Sequence, residues 1–513
     1  MDMFGGLTKT SSRIAIAAAL GMTLGGFVMS SHPAKAADLG GDCCADLEER
    51  VAELEATTVR KGNKKVSVTL SGWVVKDLTW FDDGQTSGVY VGDKDTTLSS
   101  HFQISGSATI APGWSGGYTM TIEAPGNANG FFSNQQNDNV NFEGVVDGTR
   151  SDRLLRTLLS YMYIKSDKWG TINWGLLSQA TDNVALLPDL SGTIIESNAV
   201  FFEGNGFFVR PKGAVKSALG QSNTLWGEFF TCLSGGGIIG ADCNGNTTNG
   251  VRYDSPTWAG FSVSGGFGEN YYKDIAVHYA ADWGNFKVSA AFGFTNMLDE
   301  NYISSGGGLN NHKTDVNLYQ TGASILHVPT GLFVYGMYSA EDARGTFAQT
   351  VNHTIQSNLT TPDMFYIKAG IKRTWLPLGA TVLYGEYGQY NDQYSILTGT
   401  DVCSGTGITS AFKNISNAAG PSGPALGTAP VCTSAAFDSG VFVNGSEVQR
   451  WGLGVVQEID SAAMHVFARW QHQDLNVDLV GFNALGENCS GGCKTKQGFE
   501  GLDLFQLGGV IFF

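Results

Sequence analysis

The chain has 513 residues with a formal net charge of −16, and only 15% of its residues are charged. That acidic balance argues against nucleic acid as a partner, because phosphate binding needs a basic patch. There are 69 Gly, 30 Phe, 17 Tyr and 11 Trp but just 12 Pro, a profile that fits one large glycine- and aromatic-rich β structure better than several soluble domains.

The chain opens on Lys9 and Arg13, followed by an apolar, small-residue run over 14–29 and then Ala34-Lys35-Ala36. This order predicts a signal peptide over 1–36 with cleavage before Ala37. A membrane anchor is the alternative, but the run is short for a span of ~20 residues. Beyond it no run of 18 apolar residues occurs. A closed barrel is then the one spanning structure left, because lipid offers no partners to loose backbone groups.

Residues 37–63 read as a periplasmic coiled-coil segment and linker. Leu47, Val51, Leu54 and Thr58 recur at spacings expected of an a/d seam. Two heptads are marginal for an isolated helix, so the seam points to association with other copies; a plain amphipathic linker helix is the alternative. A cell-wall contact through this helix is a further expectation. Cys43 and Cys44 just upstream could bridge chains in an oxidising compartment.

From Lys64 onward the period changes to two. Phe286, Val288, Ala290, Phe292 and Phe294 alternate with Lys287, Ser289, Ala291, Gly293 and Thr295. Phe365, Ile367, Ala369 and Ile371 oppose Tyr366, Lys368, Gly370 and Lys372. Met464, Val466, Ala468 and Trp470 oppose His465, Phe467, Arg469 and Gln471. One face is greasy and the other mostly polar or tiny, as in a half-buried strand.

Seven short turns punctuate this region. They centre on Pro112-Gly113, Asp167-Lys168-Trp169, Pro256-Thr257-Trp258, Asp282-Trp283-Gly284, Pro329-Thr330-Gly331, Pro377-Leu378-Gly379 and Asp460-Ser461-Ala462. Eight other connections, mostly much longer, lie between them. Short turns on one rim and long loops on the other are the pattern of outer-membrane barrels. The count predicts an all-β, 16-stranded antiparallel transmembrane β-barrel over 64–513, with both termini on the short-turn, periplasmic side.

Four segments carry a family resemblance: DLEERVAELEATT at 46–58, KKVSVTLSGWV at 64–74, VRYDSPTWAGFSVS at 251–264, and the terminal strand ending in Phe513. In these the chain resembles the rhizobial-type general porins of the alphaproteobacteria. The resemblance implies a 16-stranded barrel, a homotrimer in outer-membrane lipid and lipopolysaccharide, and a third loop folded into a passive pore for small hydrophilic solutes and ions.

That third loop is expected over 179–249. A long ordered loop usually has a function, and this one is read as the constriction. Its acidic side is Asp182, Asp189, Glu196 and Glu203, with Phe201, Phe202, Phe207 and Phe208 as anchors to the wall. Arg210 on the loop joins Arg156, Arg252, Lys368, Lys372, Arg450 and Arg469 as the basic side. Acids facing bases across an opening would give a transverse field, and the acidic excess suggests a mild cation preference. Local disulfides are expected for Cys232 with Cys243, Cys403 with Cys432, and Cys489 with Cys493. No metal site and no cofactor are expected, and no HExxH or P-loop lysine motif occurs. A substrate-selective channel, and an outer-membrane barrel enzyme or adhesin, are the competing readings.

Overall fold

A computed structural model of the chain describes residues 66–93, 100–124, 155–200, 204, 207, 209–210, 212, 226–230, 247–299, 314–344, 361–393, 441–481 and 494–513. The leader 1–36, the seam residues Leu47, Val51, Leu54 and Thr58, and all eight cysteines lie outside the described residues.

Alternating apolar and polar residues, rich in β-branched and aromatic types, form extended strands that each need a neighbour on both edges. Eighteen segments join into one antiparallel sheet. They make 16 strands, because two are interrupted. β2 (Ser87–Gly92) and β3 (His101–Ala111) follow each other along one edge of β1 (Ser67–Asp82). β17 (Lys494–Gly498) and β18 (Leu502–Phe512) likewise share one edge of β16 (Met464–Gly481).

Between them run β4 (Trp114–Glu123), β5 (Arg156–Ser166), β6 (Gly170–Ser178), β7 (Thr247–Asp254), β8 (Phe261–Gly268), β9 (Lys273–Trp283) and β10 (Phe286–Asp299). Then come β11 (Thr314–His327), β12 (Leu332–Arg344), β13 (Asp363–Leu376), β14 (Gly379–Asn391) and β15 (Val441–Ile459). Each pairs with the next. The free edge of β18 pairs with β1 from Trp73↔Phe512 to Asp82↔Asp503, and this closes the ring. At the seam the Gly72 N–H donates to the Phe513 carbonyl at 2.9 Å and the Phe513 N–H to that of Gly72 at 3.1 Å.

All seven predicted turns fall on one rim, after β3, β5, β7, β9, β11, β13 and β15. Gly331 shows why one of them needs glycine. Its φ is +75°, and a Cβ there would run into the Lys372 carbonyl. On the other rim most connections are long; the exceptions are the tight links 83–86 and 269–272.

The greasy phase points outward. Leu453 is 62% exposed and Leu507 52%, with Leu70, Val74, Phe292, Ile367 and Ile511 also exposed. In β10 and β16 the alternate residues Ser289, Thr295, His465, Arg469 and Gln471 face inward and are buried. A soluble sheet would bury the opposite face. Exposed Trp114, Trp169, Trp258, Trp283 and Trp375 sit at or beside the short turns. Near the opposite rim Trp80 and Phe505 are exposed, and the Trp470 indole N–H donates to Asp503 at 2.9 Å. Two aromatic belts flanking an apolar band describe a barrel that spans a bilayer.

Leu507→Arg places a charge on the middle of this band. It should lower stability by ~2–4 kcal/mol in denaturant titrations in lipid vesicles; an unchanged midpoint would take Leu507 out of lipid.

Candidate functional site

β7 begins at Thr247, so the long connection after β6 is 179–246, slightly shorter than expected. Its described residues do not leave the barrel. Almost all of 179–200 is buried, as are Phe207, Val209, Arg210 and Trp226. The segment runs along the inner wall from β9 to β16 and then to the top of β1.

Hydrogen bonds to inward-facing side chains hold it along this path. Asp274 of β9 accepts from the Thr181 N–H at 2.8 Å and from its hydroxyl at 3.1 Å. The Leu190 N–H donates to Ser324 of β11 at 3.3 Å, and Tyr335 of β12 donates to the Ala185 carbonyl at 2.7 Å. Lys368 of β13 donates to Asp189 at 2.8 Å, Thr193 at 3.0 Å and the Ser197 carbonyl at 2.6 Å. Lys372 reaches the Ser191 carbonyl at 3.2 Å and Glu458 at 2.7 Å.

On β14, Glu386 accepts from Ser197 and from Tyr366, and Tyr390 donates to the Ala199 carbonyl. Arg450 of β15 donates to the carbonyls of Asn198 and Val200, and its guanidinium lies 5.4 Å from the Tyr366 ring centre and 5.7 Å from that of Tyr390. On β16, His465 bonds Glu196 at 2.6 Å and Arg469 donates to the Glu196 carbonyl at 2.5 Å. At the far end Arg210 meets Asp83 at 2.8 Å. There the Glu500 N–H donates to the Arg210 carbonyl and the Lys212 N–H to that of Gly498. The break between β17 and β18 thus supplies the backbone groups that tie the segment down.

The predicted charges are accordingly brought together, but not as two rows facing across an opening. Lys368, Lys372, Arg450 and Arg469 converge on 189–200, and Asp189 touches Lys368. Arg252 sits at the start of the segment, donating to the Ser178 carbonyl at 2.9 Å and pairing with Asp254 at 3.1 Å. Asp182 is buried beside Asn183, whose amide donates to it at 2.8 Å. Arg156 stays near the long-loop rim of β5, ion-paired to Glu123 and half exposed. Phe207 is fully buried against Phe81, with ring centres 4.9 Å apart. Glu203, Phe201, Phe202 and Phe208 lie outside the described residues.

The inner wall is also two-sided. From β12 round to β1 it carries buried Phe333, Met364, Val382, Val456, Phe467, Val510 and Val75, and the segment covers these with Leu186, Ile195, Ala199 and Val200. Across the ring, β3 and β4 present Gln103, Thr119 and Thr121 inward, while β5 and β6 mix Asn173 with buried Leu159, Tyr161 and Leu177. The apolar inner half was not expected from the polar phase of the strands. Nor were the tyrosine hydroxyls of β12 to β14, although Tyr366 stands on the polar phase beside Lys368 and so advertises an inward hydroxyl. Among the described residues no group of His, Cys, Asp and Glu is arranged to hold a metal ion.

No family model matches the sequence, and no curated protein matches it either. Solved structures of similar shape include an anion-selective porin from Comamonas acidovorans, at 15% identity and a TM-score of 0.47 over 87% of this chain and 100% of that one. OmpT of Vibrio cholerae in a trimer form gives 11% and 0.42 over 88% and 100%, and Salmonella typhi OmpF with daunomycin gives 12% and 0.42 over 88% and 99%. The barrel assignment rests on the strand pairing itself.

Lys368 and Asp189 are both fully buried. Removing one charge from such a pair strands the other and costs ~3–5 kcal/mol. Lys368→Met and Asp189→Asn should each destabilise the barrel in denaturant titrations, and the double variant should lose less than their sum. Strict additivity would mean that the pair does not hold the segment.

Proposed function

We propose that this chain is an outer-membrane porin: a passive, water-filled channel for small hydrophilic solutes and ions. The observation that carries the reading is the inside-out barrel with a buried segment tied along one half of its inner wall. That arrangement narrows the lumen and pushes passage towards the polar face of β3 and β4. A diffusion pore needs only a diameter and a field at its narrowest point, and 179–200 supplies the narrowing.

The mild cation preference expected from the acidic balance belongs to the same proposal. Asp189 and Glu196 contribute to it less than their charge suggests, because Lys368 and His465 are in contact with them. A homotrimer is proposed as well. Lys76 is half exposed on the outward phase of β1, between exposed Val74 and Leu78, and pairs with the buried Asp93 at 2.6 Å. A charge on the lipid face costs roughly 2–4 kcal/mol at the bilayer midplane, and a neighbouring copy would cover it.

Planar-bilayer recording with the purified protein tests these points together. The expected result is ohmic steps in groups of three, flux that does not saturate with any one solute, and a reversal potential on the cation side. Saturable flux of a single solute would favour a substrate-selective channel, and no conductance at all would refute the pore.

A further inference from the structure

Two glycines stand on the inner wall directly beneath the interior segment. Gly293 of β10 and Gly322 of β11 both belong to the inward phase of their strands. A Cβ on Gly322 would lie 2.8 Å from the carbonyl carbon of Ala185 and 3.0 Å from its Cα, and would overlap its carbonyl oxygen. These are backbone atoms, so no rotamer change relieves the contact. The same carbonyl is held by the Tyr335 hydroxyl at 2.7 Å, which fixes the segment against the wall. A Cβ on Gly293 would lie 2.6 Å from Cγ1 of Val184 and 2.9 Å from Cγ2 of Thr181.

Neither glycine has the positive φ that would call for glycine on backbone grounds. What the two positions share is the absence of a side chain where the segment comes closest to the wall. We infer that Gly293 and Gly322 form a seat that sets how far the segment stands off the wall, and therefore the aperture left on the opposite, polar side of the lumen. They are positioning residues: they need touch no solute, and they act through the placement of 181–185. This inference rests on the pore reading above.

The seat makes a directional claim. A methyl group at either position drives the segment towards the barrel axis, because the strand behind it is locked by ladders on both edges and the segment is free to move only inward. Gly322→Ala and Gly293→Ala should therefore lower single-channel conductance and shift the solute size limit downward, with the barrel still folded by its heat-modifiable gel mobility. Gly336→Ala is the control. It faces outward, and its Cβ would meet only the Tyr366 carbonyl at an ordinary 3.7 Å; its conductance should match wild type. The double variant Gly293→Ala with Val184→Ala removes the nearer of the two methyls that are struck and should recover part of the lost conductance, which a general loss of stability would not do.

Should Gly322→Ala fail to fold, the Gly293 single and double variants still decide the matter. Wild-type steps with unchanged or larger conductance in Gly293→Ala, or no recovery in the double variant, would overturn the seat while leaving the pore intact. Absence of steps in the wild type would remove both.

Discussion

The structure depends on one constraint: in lipid no backbone amide or carbonyl can be left without a hydrogen-bond partner. A strand satisfies half its groups on each side, so a sheet in hydrocarbon has to end where it began. Here the last strand meets the first over ten residue pairs from Trp73↔Phe512 to Asp82↔Asp503. The ladder on β1 has a gap at 74–76 between β3 and β2, and that on β16 has a gap at 474–475 between β18 and β17. Each is used. Ser100 turns its hydroxyl to accept from the Val75 N–H at 3.1 Å, and the second gap receives the end of the interior segment. Interruptions of a sheet are often placed where something must dock or be re-aimed.

Once the outside is committed to lipid, the inside has to do what a soluble core normally does, and it does so unevenly. On one half of the wall the segment buries apolar side chains as a core would, contributing on the order of 25 cal/mol per Å² of apolar surface removed from water. The polar bonds among them are there for placement. A buried ion pair such as Lys368 with Asp189 gains little net stability over a well-packed apolar pair, since both charges lose their water. It does penalise any other position of the segment, because a displaced Asp189 would leave the lysine buried and unpaired. A ladder of such contacts from β9 to β16 gives a chain segment without regular secondary structure a single path.

Much of the fold was legible in the sequence, because the signals that set it are local. A period of two and a glycine or proline turn are visible within a dozen residues, and they locate the turns after β3, β11 and β13 and the outward phase of β10, β13 and β16. The alternation itself did not say which face was outside; the leader, the size and the turn pattern had to decide it. The interior contacts were less legible. Lys368 meets Asp189 across 179 residues and Arg450 meets Asn198 across 252, and nothing local pairs them. Composition suggested acids and bases opposed across water. Contact won instead, because unpaired charges in a half-filled barrel would be poorly hydrated. Val75, Phe467 and Val510 sit on the inward phase, yet are apolar; only the covering segment explains them.

In an inside-out barrel Phe292 and Phe294 look into lipid while Ser289 and Thr295 look into the barrel. Nitroxide labels placed singly at these four positions, in a background with the native cysteines replaced by serine and the protein in vesicles, read this directly. Labels at Phe292 and Phe294 should collide with dissolved oxygen far more than with a water-soluble nickel chelate. Those at Ser289 and Thr295 should show the lower oxygen contact of a buried interior. Equal oxygen access along the strand, or the reverse alternation, would contradict the inside-out barrel.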